Sequence, residues 1–224
     1  MFSRLVTSAV FAGAVAGLLV ALLQLAFVQP VLLHAELYET GQLVHFGGLP
    51  NTATPELPGF DLMRNGLSVL FTMMVYCGYA LILVAVMSTA DDALVTPRMG
   101  MIWGLAGFVA AQLAPAMSLP PEVPGVAAAD VQLRQFWWFA TVAMAAGAMW
   151  ILAFRFNMYG IAAAALLLML PHIVGAPQPD AFAGPVPTEL GALFAARSLG
   201  IGLAAWIILG AFCAYFWNKE GEAA

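Results

Sequence analysis

The chain has 224 residues, of which 63% are hydrophobic and 8% charged, with a mean hydropathy of +0.93 and a formal net charge of -5. That composition places it in the bilayer and leaves no length for a separate soluble domain. With a single lysine, Lys219, that follows Asn218, it lacks both the basic face that nucleic acid requires and the Gly-Lys pair of a Walker nucleotide loop.

Isolated backbone in lipid must satisfy its own hydrogen bonds, and the apolar runs lack the alternation of barrel strands, so the spans are expected to be helices. The fold expected is all-α: one transmembrane domain over residues 1–224, a polytopic bundle of about six transmembrane helices. The spans lie near 5–30, 66–88, 99–117, 136–154, 158–174 and 193–217.

The opening "MFSRLVTSAVFAGAVAGLLVALLQLAFVQP" has the arginine of a signal peptide but too long an apolar run for its h-region, and reads as a retained first span. Gly13 and Gly17 in "GAVAG" form a small-x-x-x-small face suited to close helix packing. Gln24 is one of two obvious polar side chains inside the spans, and Pro30 closes this one. The next stretch, "HAELYETGQLVH", gathers His34, Glu36, Glu39 and His45. Imidazole and carboxylate together suit a borderline divalent ion, while a solvated amphipathic segment would have the same composition.

The third span opens "RMGMIWGLA" at Arg98, offers a second packing face through Gly100 and Gly104, contains Gln112 and ends at Pro115. A proline-rich connection with Glu122, Asp130 and Arg134 leads to Trp137 and Trp138, which read as an interfacial aromatic belt. The fifth span opens "RFNMYGIA" at Arg155 and ends at Pro171. In both of these spans an aromatic-Gly pair stands eleven residues before the proline, and each long loop leads to an arginine, Arg64, Arg134 or Arg197. The pattern is a weak internal repeat of three helical hairpins.

Each of Pro30, Pro115 and Pro171 lacks an amide donor and frees the carbonyl four residues earlier, at Ala26, Ala111 and Leu167. Such oxygens face ions in the broken helices of transporters, although a proline near a span end also simply ends a helix. "LMLPHIVGAPQPD" then places His172 directly after Pro171 and Asp180 in the loop beyond. His172 is a candidate ligand for a divalent ion, or else an interfacial histidine bonded to a loop carbonyl or water. Starting the last apolar run at Leu199 keeps Arg197 at the surface, whereas a start near Leu190 would draw it inside and require a partner such as Asp180 or Glu189.

Arg4, Arg98, Arg155 and Lys219 flank the short connections and termini, and the acids concentrate in the long loops. The positive-inside rule therefore sets both termini in the cytoplasm of a multi-pass protein of the cytoplasmic (inner) membrane. Cys77 and Cys213 fall within apolar runs and read as small hydrophobes, and the twelve methionines as core filler. With no Ser-His-Asp order, zinc-hydrolase helix or CxxC, the chain is not expected to be an enzyme.

Three segments, "MFSRLVTSAVFAGAVAGLLVALLQLAFVQPVLLHAELYE", "LAPAMSLPPEVPGVAAADVQLRQFWW" and "LPHIVGAPQPD" followed by "VPTEL", resemble in order and spacing the CbtA family, the predicted membrane subunit of a cobalt transporter. The resemblance runs over nearly the whole chain. It implies a cytoplasmic-membrane protein, linked to cobalt supply for corrinoid synthesis, that works with a small single-span, His-rich subunit of the CbtB kind. On that basis Co(II) is the expected cargo, Glu36, Glu39 and Asp180 attract it, and His172 binds it, with His34 nearby. Similar proteins often carry a longer, histidine-rich first loop, and here His45 stands alone, so capture at that loop is lost or has passed to the partner. The alternative is a non-transporting accessory subunit that packs, as a homo-oligomer or within a larger membrane complex, through its glycine faces.

Overall fold

A computed structural model of the chain describes residues 2–45, 56–90 and 95–222. Most of the loop beyond His45 and the centre of "TADDALVTPR" lie outside these residues. Among the described residues all regular structure is helical: α1 (Phe2–Leu23), a π-helical turn (Gln24–Val28), α2 (Gln29–Glu39), α3 (Leu62–Met87), α4 (Pro97–Phe108), a second π turn (Val109–Leu113), α5 (Ala114–Ala116), α6 (Val131–Phe154), α7 (Met158–Val174) and α8 (Thr188–Glu222). Five helical runs are long and apolar enough to cross a membrane, namely Phe2–Glu39, Leu62–Met87, Pro97–Ala116, Val131–Phe154 and Thr188–Gly221, with the shorter Met158–Val174 beside them.

Local chemistry fixes the helix starts. The carboxylate of Asp61 accepts from the Arg64 amide at 2.9 Å, that of Asp130 from Gln132 and Leu133 at 3.0 Å each, and the Asn157 side chain from Gly160 at 2.9 Å. Each satisfies amides that a first helical turn leaves unpaired. At the far end of α7, Gly175 takes φ +88°, a conformation that favours glycine, and its amide reaches the Pro171 carbonyl at 3.0 Å.

Three expectations change. The first run does not stop at Pro30 but continues as α2 to Glu39. Pro30 is the second residue of α2 within a continuous helical run, and the π turn immediately before it takes up the irregularity that its missing amide introduces. Pro115 repeats the arrangement: a five-residue π turn, one further residue, then the proline. Pro171 lies inside α7 with no π turn before it, so two of the three proline sites share the device.

The last helix begins at Thr188, before the apolar run at Leu199, because it can start as soon as Pro187 ends the extended segment; the Leu190 amide bonds the Pro187 carbonyl at 3.0 Å. Arg197 therefore stands within α8, half-buried and partnered, not at a surface in front of it. Trp137 is likewise not a belt residue: it is 8% exposed and its indole donates to the Pro171 carbonyl at 3.1 Å. Its position on α6 turns it inward, which the adjacency of two tryptophans in sequence does not reveal.

The chain divides into two compact units, one of residues 1–27, 59–108 and 200–224 and the other of residues 28–58 and 109–199. In the first unit glycines set the packing. A Cβ on Gly13 would collide with the Cys77 backbone, and one on Gly17 would lie 2.6 Å from the Met73 Cα. As the contact climbs α1 it descends α3, so the two helices run antiparallel. Gly100 against Gly210, and Gly104 against the Trp206 carbonyl, pair α4 with the C-terminal part of α8 in the same sense. Lipid supplies no hydrophobic drive between helices, so this close backbone approach provides the dispersion contact that holds them.

Around these seams lie Tyr79 against Trp206, with ring centroids 5.2 Å apart, and Phe11 stacked on Phe216 at 5.7 Å. Arg4 closes the end of the unit: its Nε donates to the Trp217 carbonyl at 2.9 Å and its guanidinium sits 4.0 Å over the Trp217 ring. Both cysteines are free thiols.

In the second unit α6 and α7 pack together, with Ala145 of α6 and Leu168 of α7 against Ala110 and Ala114. A second cluster joins Ala35 of α2 to Val123 and Val186 of the two proline-rich connections, flanked by Tyr38, Val126, Leu190 and Phe194. The connections also bond to each other, the Ala127 amide donating to the Ala183 carbonyl at 2.8 Å. They are thus part of the packed unit, which gives the residues they carry defined positions.

Candidate functional site

Where the second proline-rich connection leaves α7, four groups meet. The imidazole of His172 stands on the last turn of α7, and its Nδ1 lies 2.8 Å from the Ser118 hydroxyl, just past α5. Trp137 of α6 packs its ring edge-on to the imidazole, centroids 5.8 Å apart, while its N–H holds the Pro171 carbonyl. Pro115 is fully buried, and its carbonyl accepts from the Ser118 and Leu119 amides at 3.2 and 2.9 Å. Ser118 is thereby held on a fixed turn.

These contacts orient one nitrogen and leave the other. When His172 carries its proton on Nδ1 and donates to Ser118, the Nε2 lone pair is available to a metal ion. When Ser118 donates to Nδ1, Nε2 carries the proton and cannot ligate. The Ser118 oxygen can take either part, so the tautomer that suits a metal is accessible without moving the ring. This is the supporting partner that metal-binding imidazoles ordinarily have on the second nitrogen. Ser118 drew no notice in the sequence, since a lone serine two residues before the Pro120-Pro121 pair carries no signal of its own.

The other expected site residues are placed as follows. His34, Glu36 and Glu39 all stand on α2; His34 packs on Tyr38 with centroids 5.6 Å apart, Glu36 is half-buried and Glu39 exposed. A Cβ on Gly125 would press within 3.2 Å of the Glu39 side chain, so the loop turn at Gly125, with φ +81°, lies on the stem of that glutamate. Asp180 is exposed in the connection after α7. Glu122 pairs with Arg134 at 2.8 Å, and Asp130 caps α6. Among the described residues no group of three His, Cys, Asp or Glu comes together. The carboxylates thus surround the loops and do not converge on His172.

The model of the CbtA family, described as a probable cobalt transporter subunit, matches residues 2–218. The chain belongs to the CbtA family. No curated protein and no solved structure matches it. Membership of CbtA makes this chain a subunit of a probable cobalt transporter, and the apolar helices make it a multi-pass membrane protein. The residues that gather at His172 come from three of the segments that CbtA spans: the turn after α5, α6 and the end of α7.

Proposed function

We propose that this CbtA subunit passes Co(II) across the cytoplasmic membrane, and that His172 Nε2 is its first fixed ligand. The observation that carries the reading is the 2.8 Å contact between Ser118 and His172 Nδ1, which spends one ring nitrogen on orientation and leaves the other for the ion. Glu36, Glu39 and Asp180, on α2 and on the connection after α7, raise the local cation concentration without forming a cage. One imidazole does not hold a borderline ion alone, so the remaining ligands are assigned to a partner, as expected of a subunit; in this reading that partner is a small single-span protein with a His-rich tail. The acid-rich loops face outward, and the ends bearing Arg4, Arg98 and Lys219 face the cytoplasm.

The test is equilibrium Co(II) binding to the chain purified with its partner, for the parent, His172→Ala and His45→Ala. His172→Ala is expected to lose about 10–100-fold in affinity and His45→Ala to change little. Equal affinity in parent and His172→Ala would move the site to the first loop or to the partner alone.

A further inference from the structure

Four buried side-chain polar atoms among the described residues have no hydrogen-bond partner: Ser8 Oγ, Gln112 Oε1, Trp206 Nε1 and Trp217 Nε1. The two indoles are donors and cannot hold a cation, and a serine on a helix can turn its hydroxyl onto the carbonyl of the preceding turn. Gln112 is different. Its amide oxygen is a hard acceptor with nothing to accept from, inside the apolar run Pro97–Ala116, and buried polar groups are ordinarily satisfied.

Its setting is specialised. Gln112 is the fourth residue of the π turn Val109–Leu113, three residues before Pro115, which withholds an amide from the same stretch of helix. π turns of this kind recur at functional positions. The first π turn also holds a glutamine, Gln24, yet there the oxygen accepts from the Thr72 hydroxyl at 3.2 Å. The orphaned oxygen is therefore specific to the second turn and not a consequence of placing glutamine in such a turn. Ser118, which orients His172, lies six residues further along the same chain segment, about 9 Å at the helical rise.

We infer that Gln112 Oε1 is a second station for the divalent cation, one step deeper in the span than His172. A neutral amide oxygen accepts a cation, or a water of its shell, without adding a charge that would trap it. This inference rests on the cation-transport reading above.

Two measurements on Gln112→Met, a substitution of similar length and volume, decide it: melting temperature in detergent, and uptake of radiolabelled Co(II) by cells expressing the chain together with its partner. An oxygen kept for cargo predicts a melting temperature equal to or above that of the parent, since an unsatisfied acceptor is removed, together with uptake lower by about tenfold or more. Gln24→Met, which breaks a satisfied hydrogen bond, is expected to melt lower than the parent. Uptake by Gln112→Met equal to the parent's overturns the inference and leaves the transport reading standing. A lower melting temperature for Gln112→Met overturns it as well, because the oxygen is then satisfied within the fold. Parent cells that accumulate no more Co(II) than cells lacking the chain would sink the transport reading, and this station with it.

Discussion

Gly100 and Gly210 lie backbone against backbone: a Cβ built on either would strike the carbonyl oxygen of the other. Because the clash is with main chain on both sides, no side-chain rotation relieves it. Gly100→Leu and Gly210→Leu should each destabilise the first unit by at least the roughly 1–3 kcal/mol typical of overpacking, read as a lower melting temperature in detergent. Gly78→Ala on α3, where a Cβ would meet nothing within 4 Å, should instead be neutral or stabilising by up to about 1 kcal/mol. If all three variants melt alike, close backbone approach is not what holds these helices.

The Ser118 hydroxyl fixes the His172 ring, so Ser118→Ala should weaken Co(II) binding by about tenfold and Ser118→Thr, which keeps a hydroxyl, by much less. Equal affinity in the parent and Ser118→Ala would show that this hydroxyl does not set the ligating nitrogen.

Trp137→Phe keeps the ring and deletes the N–H that holds the Pro171 carbonyl. The expected cost is about 1 kcal/mol of stability, and since the ring also flanks His172, cobalt affinity should drop with it. Trp138→Phe, one residue away and with no indole hydrogen bond among the described residues, serves as the comparison, and equal losses in the two would remove the structural distinction between them.

Orientation is tested by single cysteines at Pro58, Pro179 and Thr96 in a Cys77→Ala, Cys213→Ala background, labelled in intact cells with an impermeant thiol reagent. All three positions are described, and Pro58 and Thr96 are exposed. Labelling is expected at 58 and 179 and not at 96. The reverse pattern would place the acid-rich loops in the cytoplasm and turn the proposed direction of entry around.

Composition determined the class of fold, because a chain this apolar has only helices as a way to satisfy its backbone in lipid. The glycine spacings of "GAVAG" and "GMIWG" likewise marked residues that meet a neighbouring helix backbone, since only glycine allows that approach. The sequence also picked out His172 by its place after Pro171; that Asp61 and Asp130 cap α3 and α6 is visible only in the fold.

Only the tertiary structure decided what surrounds these residues. Hydropathy measures where a chain prefers lipid, not where helical hydrogen bonding stops, so it put a break at Pro30 and a last start no earlier than residue 193 where the helices run on to Glu39 and back to Thr188. A π turn has no residue signature of its own, and the pair before Pro30 and Pro115 was therefore invisible. Ser118 and His172 are 54 positions apart, as Trp137 and Pro171 are 34 apart, and nothing local in either stretch encodes its partner. Those contacts depend on how α6 packs against α7 and on how the proline-rich turn after α5 closes over them, which is a property of the packed unit and not of any one segment.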